Sequence, residues 1–115
     1  MTVKRRFAAG GGNATRGIFA SGYSGAPAGS NIIEFVTIAS TGDGVDFGDM
    51  TVIASYTGGS SSSPTRMCVY DASSPSVKSI EKIEIVTTGN GVDFGDTDVA
   101  HYAGGSGSSN GHGGL

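Results

Sequence analysis

The stretch Thr41-Gly42-Asp43-Gly44-Val45-Asp46-Phe47-Gly48-Asp49 recurs as Thr88-Gly89-Asn90-Gly91-Val92-Asp93-Phe94-Gly95-Asp96. The copies lie 88 − 41 = 47 residues apart and agree at eight of nine positions, so the chain is a repeat. Each phrase reads as a hairpin-like unit: a glycine-rich turn, a short Val-Asp-Phe strand, then a Gly-Asp turn. Strand side chains alternate, so Val45 and Phe47 are expected to share a face, as are Val92 and Phe94. A single unit has too little apolar surface to stand alone, and its function is expected to lie in how copies stack.

Working outward, the three residues after each Phe-Gly-Asp are Met50-Thr51-Val52 and Thr97-Asp98-Val99, and the chain opens on a third copy, Met1-Thr2-Val3. An aromatic followed by small residues occurs three times: Phe7-Ala8-Ala9-Gly10-Gly11, Tyr56-Thr57-Gly58-Gly59 and Tyr102-Ala103-Gly104-Gly105. Arg-led apolar runs follow the first two, at Arg16-Gly17-Ile18-Phe19 and Arg66-Met67-Cys68-Val69. Then come the strongest strand signals, Ile32 to Ile38 and Ile80 to Val86; in the second, Ile83 and Ile85 face one way and Lys82 and Glu84 the other. Each repeat therefore predicts four short strands: aromatic-Gly-Gly, Arg-led, Ile-rich and Val-Asp-Phe. The connections over residues 24–31 and 73–79 differ in length and sequence, as surface loops do.

The expected fold is all-β: two four-stranded antiparallel sheets of the size of propeller blades in one domain over residues 1–115, with repeats at 1–49 and 50–96 and a partial repeat at 97–115. The alternative is a compact sandwich or barrel formed by pairing the two repeats face to face. Two blades cannot close a ring, and their open flanks would be an aggregation hazard, so self-association is expected. The surplus first-strand copy predicts strand exchange between chains.

Composition narrows the function. With 21 glycines, 3 prolines, no tryptophan and 37% hydrophobic residues, the chain is turn-rich but not compositionally disordered. A net charge of −3 gives no nucleic-acid footprint, and the one basic cluster, Lys4-Arg5-Arg6, reads as a solvated strand end. No apolar run is long enough to insert in a membrane, and no signal peptide is expected. Cys68 reads as a small core residue, because neither His101 nor His112 sits where contact with it is predicted.

The oxygen-bearing residues Asp43, Asp46 and Asp49, with Asn90, Asp93 and Asp96, recur every third position among glycines, as a calcium loop would place them. The pattern lacks the EF-hand order and its terminal Glu, and Asp or Asn beside Gly is what tight turns require, so turn chemistry is expected rather than a cofactor. His112 could join a metal site only if copies converged at an axis. No nucleophile elbow, phosphate loop or paired cysteines occur, and carboxylates present once per repeat suit structural repetition. The expectation is a non-enzyme with no catalytic residue.

The order of these segments resembles a degenerate Kelch-like propeller repeat. The phrases Thr15 to Tyr23, Val36 to Gly42, Asp46 to Asp49 and the ending Ser109-Asn110-Gly111-His112-Gly113-Gly114-Leu115 look like repeat proteins of marine and cyanobacterial tailed phages. That resemblance covers nearly the whole chain and implies a virion structural protein, made in the host cytoplasm: a decoration, fibre or tail-associated propeller whose loops contact a host surface glycan or protein. It favours a homotrimer and contacts with other virion proteins. Two departures stand out: the second repeat has Asp71-Ala72-Ser73 where the first has Ser21-Gly22-Tyr23, and relatives carry enough repeats to close a ring in one chain. The alternative function is a lectin-like carbohydrate- or protein-binding module, which the missing second Tyr and the absence of Trp disfavour.

Overall fold

The computed structural model describes residues 1–25, 29–72, 76–102 and 105–109, and is all-β with no helix among them. The eight strands are β1 (Ala9–Gly12), β2 (Arg16–Ala20), β3 (Ser30–Thr37), β4 (Val45–Ala54), β5 (Tyr56–Ser62), β6 (Arg66–Ala72), β7 (Val77–Glu84) and β8 (Val92–His101). They form two antiparallel meanders, β1-β2-β3-β4 and β5-β6-β7-β8, one per repeat. The reason is local: each Arg-led run is flanked by turn residues and by a β-branched run long enough to pair with it. Arg16 lies opposite Thr37 and Arg66 opposite Glu84.

The fourth strand differs from expectation. Gly48-Asp49 does not turn the chain but continues β4 through two register shifts, and β8 repeats both irregularities. The first shift makes Phe47 the extra residue of a bulge, but Phe47 stays on the face of Phe35 and is 4% exposed, while Val45, paired with Phe35 at the start of β4, is 54% exposed. The second puts the six residues Asp49 to Ala54 opposite the three from Ile32 to Ser30, which throws Met50-Thr51-Val52 clear of the ladder.

Register decides which faces meet. In the first sheet Gly11, Ile18, Phe35 and Val45 are paired across the strands and so share a face, to which Ala9, Ala20 and Ile33 also belong. In the second sheet, Met67 pairs with Ile83 and Val69 with Glu81. These two faces close on each other in one core of Ala9, Ile18, Ala20, Ile33, Phe47, Met50, Met67, Val69, Ile83 and Ile85, against which Phe35 packs. Phe35 and Phe47 meet edge to face at 5.8 Å. The least extent of the molecule, 20 Å, is that of two stacked sheets.

The repeats match Ile18, Phe35 and Val45 with Cys68, Lys82 and Val92, and Phe19 and Glu34 with Val69 and Glu81. Unlike faces therefore meet, and the sheets follow one another head to tail rather than mirroring each other. The three copies of the aromatic segment form a ladder: Phe7 to Tyr56 at 5.1 Å and Tyr56 to Tyr102 at 5.5 Å. Main-chain proximity accompanies it, with Thr57 N donating to Phe7 O at 3.3 Å and Ser60 Oγ to Gly10 O at 2.6 Å. Residues 105–107 lie against β5, where a Cβ on Gly59 would strike Gly105 and one on Gly107 would strike Ser60.

Candidate functional site

Two kinds of contact build the junction between the repeats: the first is seen twice in the chain, the second once among the described residues. The first is a buried glutamate on the Ile-rich strand. Glu81 is fully buried and accepts from Thr51 N at 2.8 Å, Thr51 Oγ1 at 2.8 Å and Val52 N at 3.0 Å, gripping the segment that the β4 bulge throws out. Glu34, 47 residues earlier, is also fully buried and accepts from Thr2 N, Thr2 Oγ1 and Arg5. Each carboxylate thus receives the Thr that follows the preceding repeat's Phe-Gly-Asp position. Such charge-assisted bonds are the means by which a buried carboxylate is tolerated.

Charge is handled differently in the two grips. Arg5 forms a fully buried ion pair with Glu34 and also donates to Ile32 O at 2.8 Å, and its place in the second repeat is taken by Ala54. Burial raises the Glu34 carboxyl, but the bonds from Thr2 and the charge of Arg5 outweigh it and hold the group below its usual range. At the second grip the neighbour is Asp71, standing where the first repeat has Ser21. Burial, and then the charge of Glu81, push Asp71 up to about 8. Its oxygens make no hydrogen bond of good geometry, with Glu81 and Ser79 alongside. At neutral pH Asp71 is the protonated member beside an accepting Glu81.

The second junction uses the repeated phrase itself. Gly89 N donates to Phe47 O at 2.9 Å, Gly91 N to Asp49 O at 2.8 Å, and Asp49 N to Asn90 Oδ1 at 3.0 Å. The Phe-Gly-Asp of one repeat is thus a plug, and the Thr-Gly-Asn-Gly turn of the next is its socket. A Cβ on Gly48 would fall inside contact with Gly89 O and lie 2.9 Å from Asn90 Oδ1, while a Cβ on Gly95 meets nothing within 4 Å. Both glycines have nearly the same positive φ, 149° and 148°, so backbone strain cancels in a comparison. Gly48→Ala is expected to cost about 1–3 kcal/mol more than Gly95→Ala in urea unfolding.

One plug and one socket have no partner among the described residues. Phe94 is 51% exposed although Phe47 is buried. The first repeat's turn lines an open depression of about 310 Å3 with Thr37, Ser40, Thr41, Gly42, Asp43, Gly44 and Val45. Among the described residues the amides of Gly42 and Gly44 have no acceptor there.

The sequence-predicted ligands do not form a cluster. Asp43, Asp46, Asp49, Asp93 and Asp96 are exposed, Asp93 Oδ1 caps its own turn by accepting from Gly95 N at 3.2 Å, and Asn90 serves the socket. Among the described residues no three His, Cys, Asp or Glu side chains converge as a metal group. His112 lies outside the described residues, as do parts of the two variable loops, 26–28 and 73–75. Cys68 is 5% exposed, and burial raises its thiol. The Lys4-Arg5-Arg6 cluster is not simply solvated. Lys4 and Arg6 are exposed, but Arg5 is drawn in by Glu34, and Arg6 lies 4.8 Å over the Tyr23 ring. Tyr23, the aromatic on which a lectin-like reading would rest, therefore has one ring face covered.

Glu34 and Glu81 were not singled out from sequence, although the signal was there: each is an acidic residue inside an apolar run, and strict alternation places Glu81 on the face of Ile83 and Ile85. No helix is long and apolar enough to cross a membrane among the described residues. No family model and no curated protein matches this chain.

Proposed function

We propose that this protein is a non-enzymatic building block that assembles with copies of itself into a ring of propeller-like sheets, three chains supplying six. The observation that carries the reading is the head-to-tail packing of unlike faces, which leaves a socket at one flank and a plug at the other. Heterologous contacts of this kind generate rings when the rotation closes. The exposed Val92 and Phe94 of the last strand are apolar surface that such a contact would cover. Resemblance to tailed-phage repeat proteins supplies the setting: a virion decoration, fibre or tail-associated component, with the loops around residues 24–31 and 73–79 turned toward the host surface.

Light scattering on the purified chain at about 100 µM is expected to give three times 11.4 kDa. A mass that stays at one chain at this concentration would remove the assembly reading. Mass spectrometry of purified particles tests the virion setting separately.

A further inference from the structure

We infer that two copies of this chain join by seating Phe94-Gly95-Asp96 of one in the Thr41-Gly42-Asp43-Gly44 turn of the other. The inference deepens the assembly reading and rests on it. Its warrant is a docked example of the same pair inside the chain: Phe47-Gly48-Asp49 already occupies Thr88-Gly89-Asn90-Gly91 through three hydrogen bonds. Plug and socket differ between the two phrases at one position only, Asn90 against Asp43, and both side chains offer an acceptor oxygen to the plug amide. The predicted contacts are Gly42 N to the partner's Phe94 O, Gly44 N to the partner's Asp96 O, and the partner's Asp96 N to Asp43.

The empty socket is already shaped like the filled one. Met1 backbone lies 3.3 Å from a Cβ built on Gly44, as Met50 lies 3.4 Å from one built on Gly91. Glu34 lies beside Gly44 as Glu81 lies beside Gly91. The turn is therefore preorganised by its own N-terminal segment, and because Met1 holds the place that Met50 takes after the in-chain plug, the partner's chain must leave the socket directly after Asp96, at Thr97.

At the plug end a rearrangement is needed. The same packing rule sets the partner's residues 7–12 on β5, where Tyr102 and residues 105–107 lie. That segment moves aside on docking. The glutamate grip does not change hands: Asp98 stands where Thr2 and Thr51 stand in the other copies, and it has no hydroxyl donor to give Glu34. Each chain keeps its own Thr2 in its Glu34 grip.

Disulfide trapping tests this. In full-length chain with Cys68→Ala, the pair Asp43→Cys and Asp96→Cys is oxidised and run on a non-reducing gel. The positive control is Asp49→Cys with Asn90→Cys, the in-chain equivalent, which should close within one chain. The expected result is a ladder of covalent oligomers from the Asp43/Asp96 pair and none from either single variant, because the contact is between unlike halves. Adding Tyr102→Ser, which loosens the competing segment, is expected to raise the ladder yield at least twofold. If light scattering shows oligomers but the double variant gives no ladder, or single variants crosslink equally, this junction is overturned while self-assembly stands. If the chain is a monomer by light scattering, both fall.

Discussion

Phe47→Ala is expected to lower the stability of the folded chain by about 3–5 kcal/mol, the cost of emptying a buried aromatic site. Phe94→Ala, the same substitution at the same place in the repeated phrase, is expected to change it by about 0.5 kcal/mol or less. The two rings differ in cover: Phe47 is sealed between the sheets against Phe35, and Phe94 is half exposed on the outer flank. Urea unfolding at a concentration where the chain is monomeric reads both. Equal losses would mean that the second flank is as closed as the first junction. Sedimentation then reads the complementary effect, since Phe94→Ala is expected to abolish self-association while leaving the fold in place.

The second large effect is in pH. Asp71 keeps its proton in the folded chain up to about 8 but loses it near 3.8 when unfolded. Between those values the native state binds more protons than the unfolded state, so stability falls as pH rises, by at most about 1.4 kcal/mol per unit. The decline is expected from pH 5 to 8, flattening above. Glu34 acts in the opposite sense and in a separate window: its folded carboxyl is held low, so the stability it contributes is present above the unfolded value and is lost only in more acid solution. Asp71→Asn mimics the protonated acid and is expected to flatten the profile, leaving the variant about 1–3 kcal/mol more stable than the parent at pH 8. An unchanged slope in Asp71→Asn would show that another group titrates there.

The grips explain why the repeats tolerate different residues around the same glutamate. Glu34 is neutralised by Arg5, and Glu81 has a neutral acid at Asp71 instead of a cation. Around the same glutamate the first repeat sets Arg5 and Ser21 and the second Ala54 and Asp71, and of these only Arg5 supplies a compensating charge.

Much of the architecture was legible before any coordinates. Each of the eight strands contains a predicted segment, because each carries its own β-branched or glycine-flanked signal, but β4 and β8 run on through the Gly-Asp read as a turn, and β3 and β7 start inside the predicted loops. The 47-residue recurrence likewise identified the unit. Val45 and Phe47 do share the face of Phe35, as alternation predicts, but only Phe47 is covered, and nothing local in Val-Asp-Phe announces the bulge at Phe47. Arg5 was misjudged as solvated, because its partner lies 29 residues away on another strand.

By itself the sequence determined what is repeated: the strand set, the meander order implied by short turns, and the identity of a phrase that occurs twice. Only the tertiary structure decided what each copy does. Phe47 and Phe94, or Asn90 and Asp43, occupy equivalent places in nearly identical strings, yet one member of each pair is engaged between the sheets and the other faces outward. The physical reason is that burial and hydrogen-bond satisfaction belong to neighbours in space, and a stack of two has one junction but two outer faces.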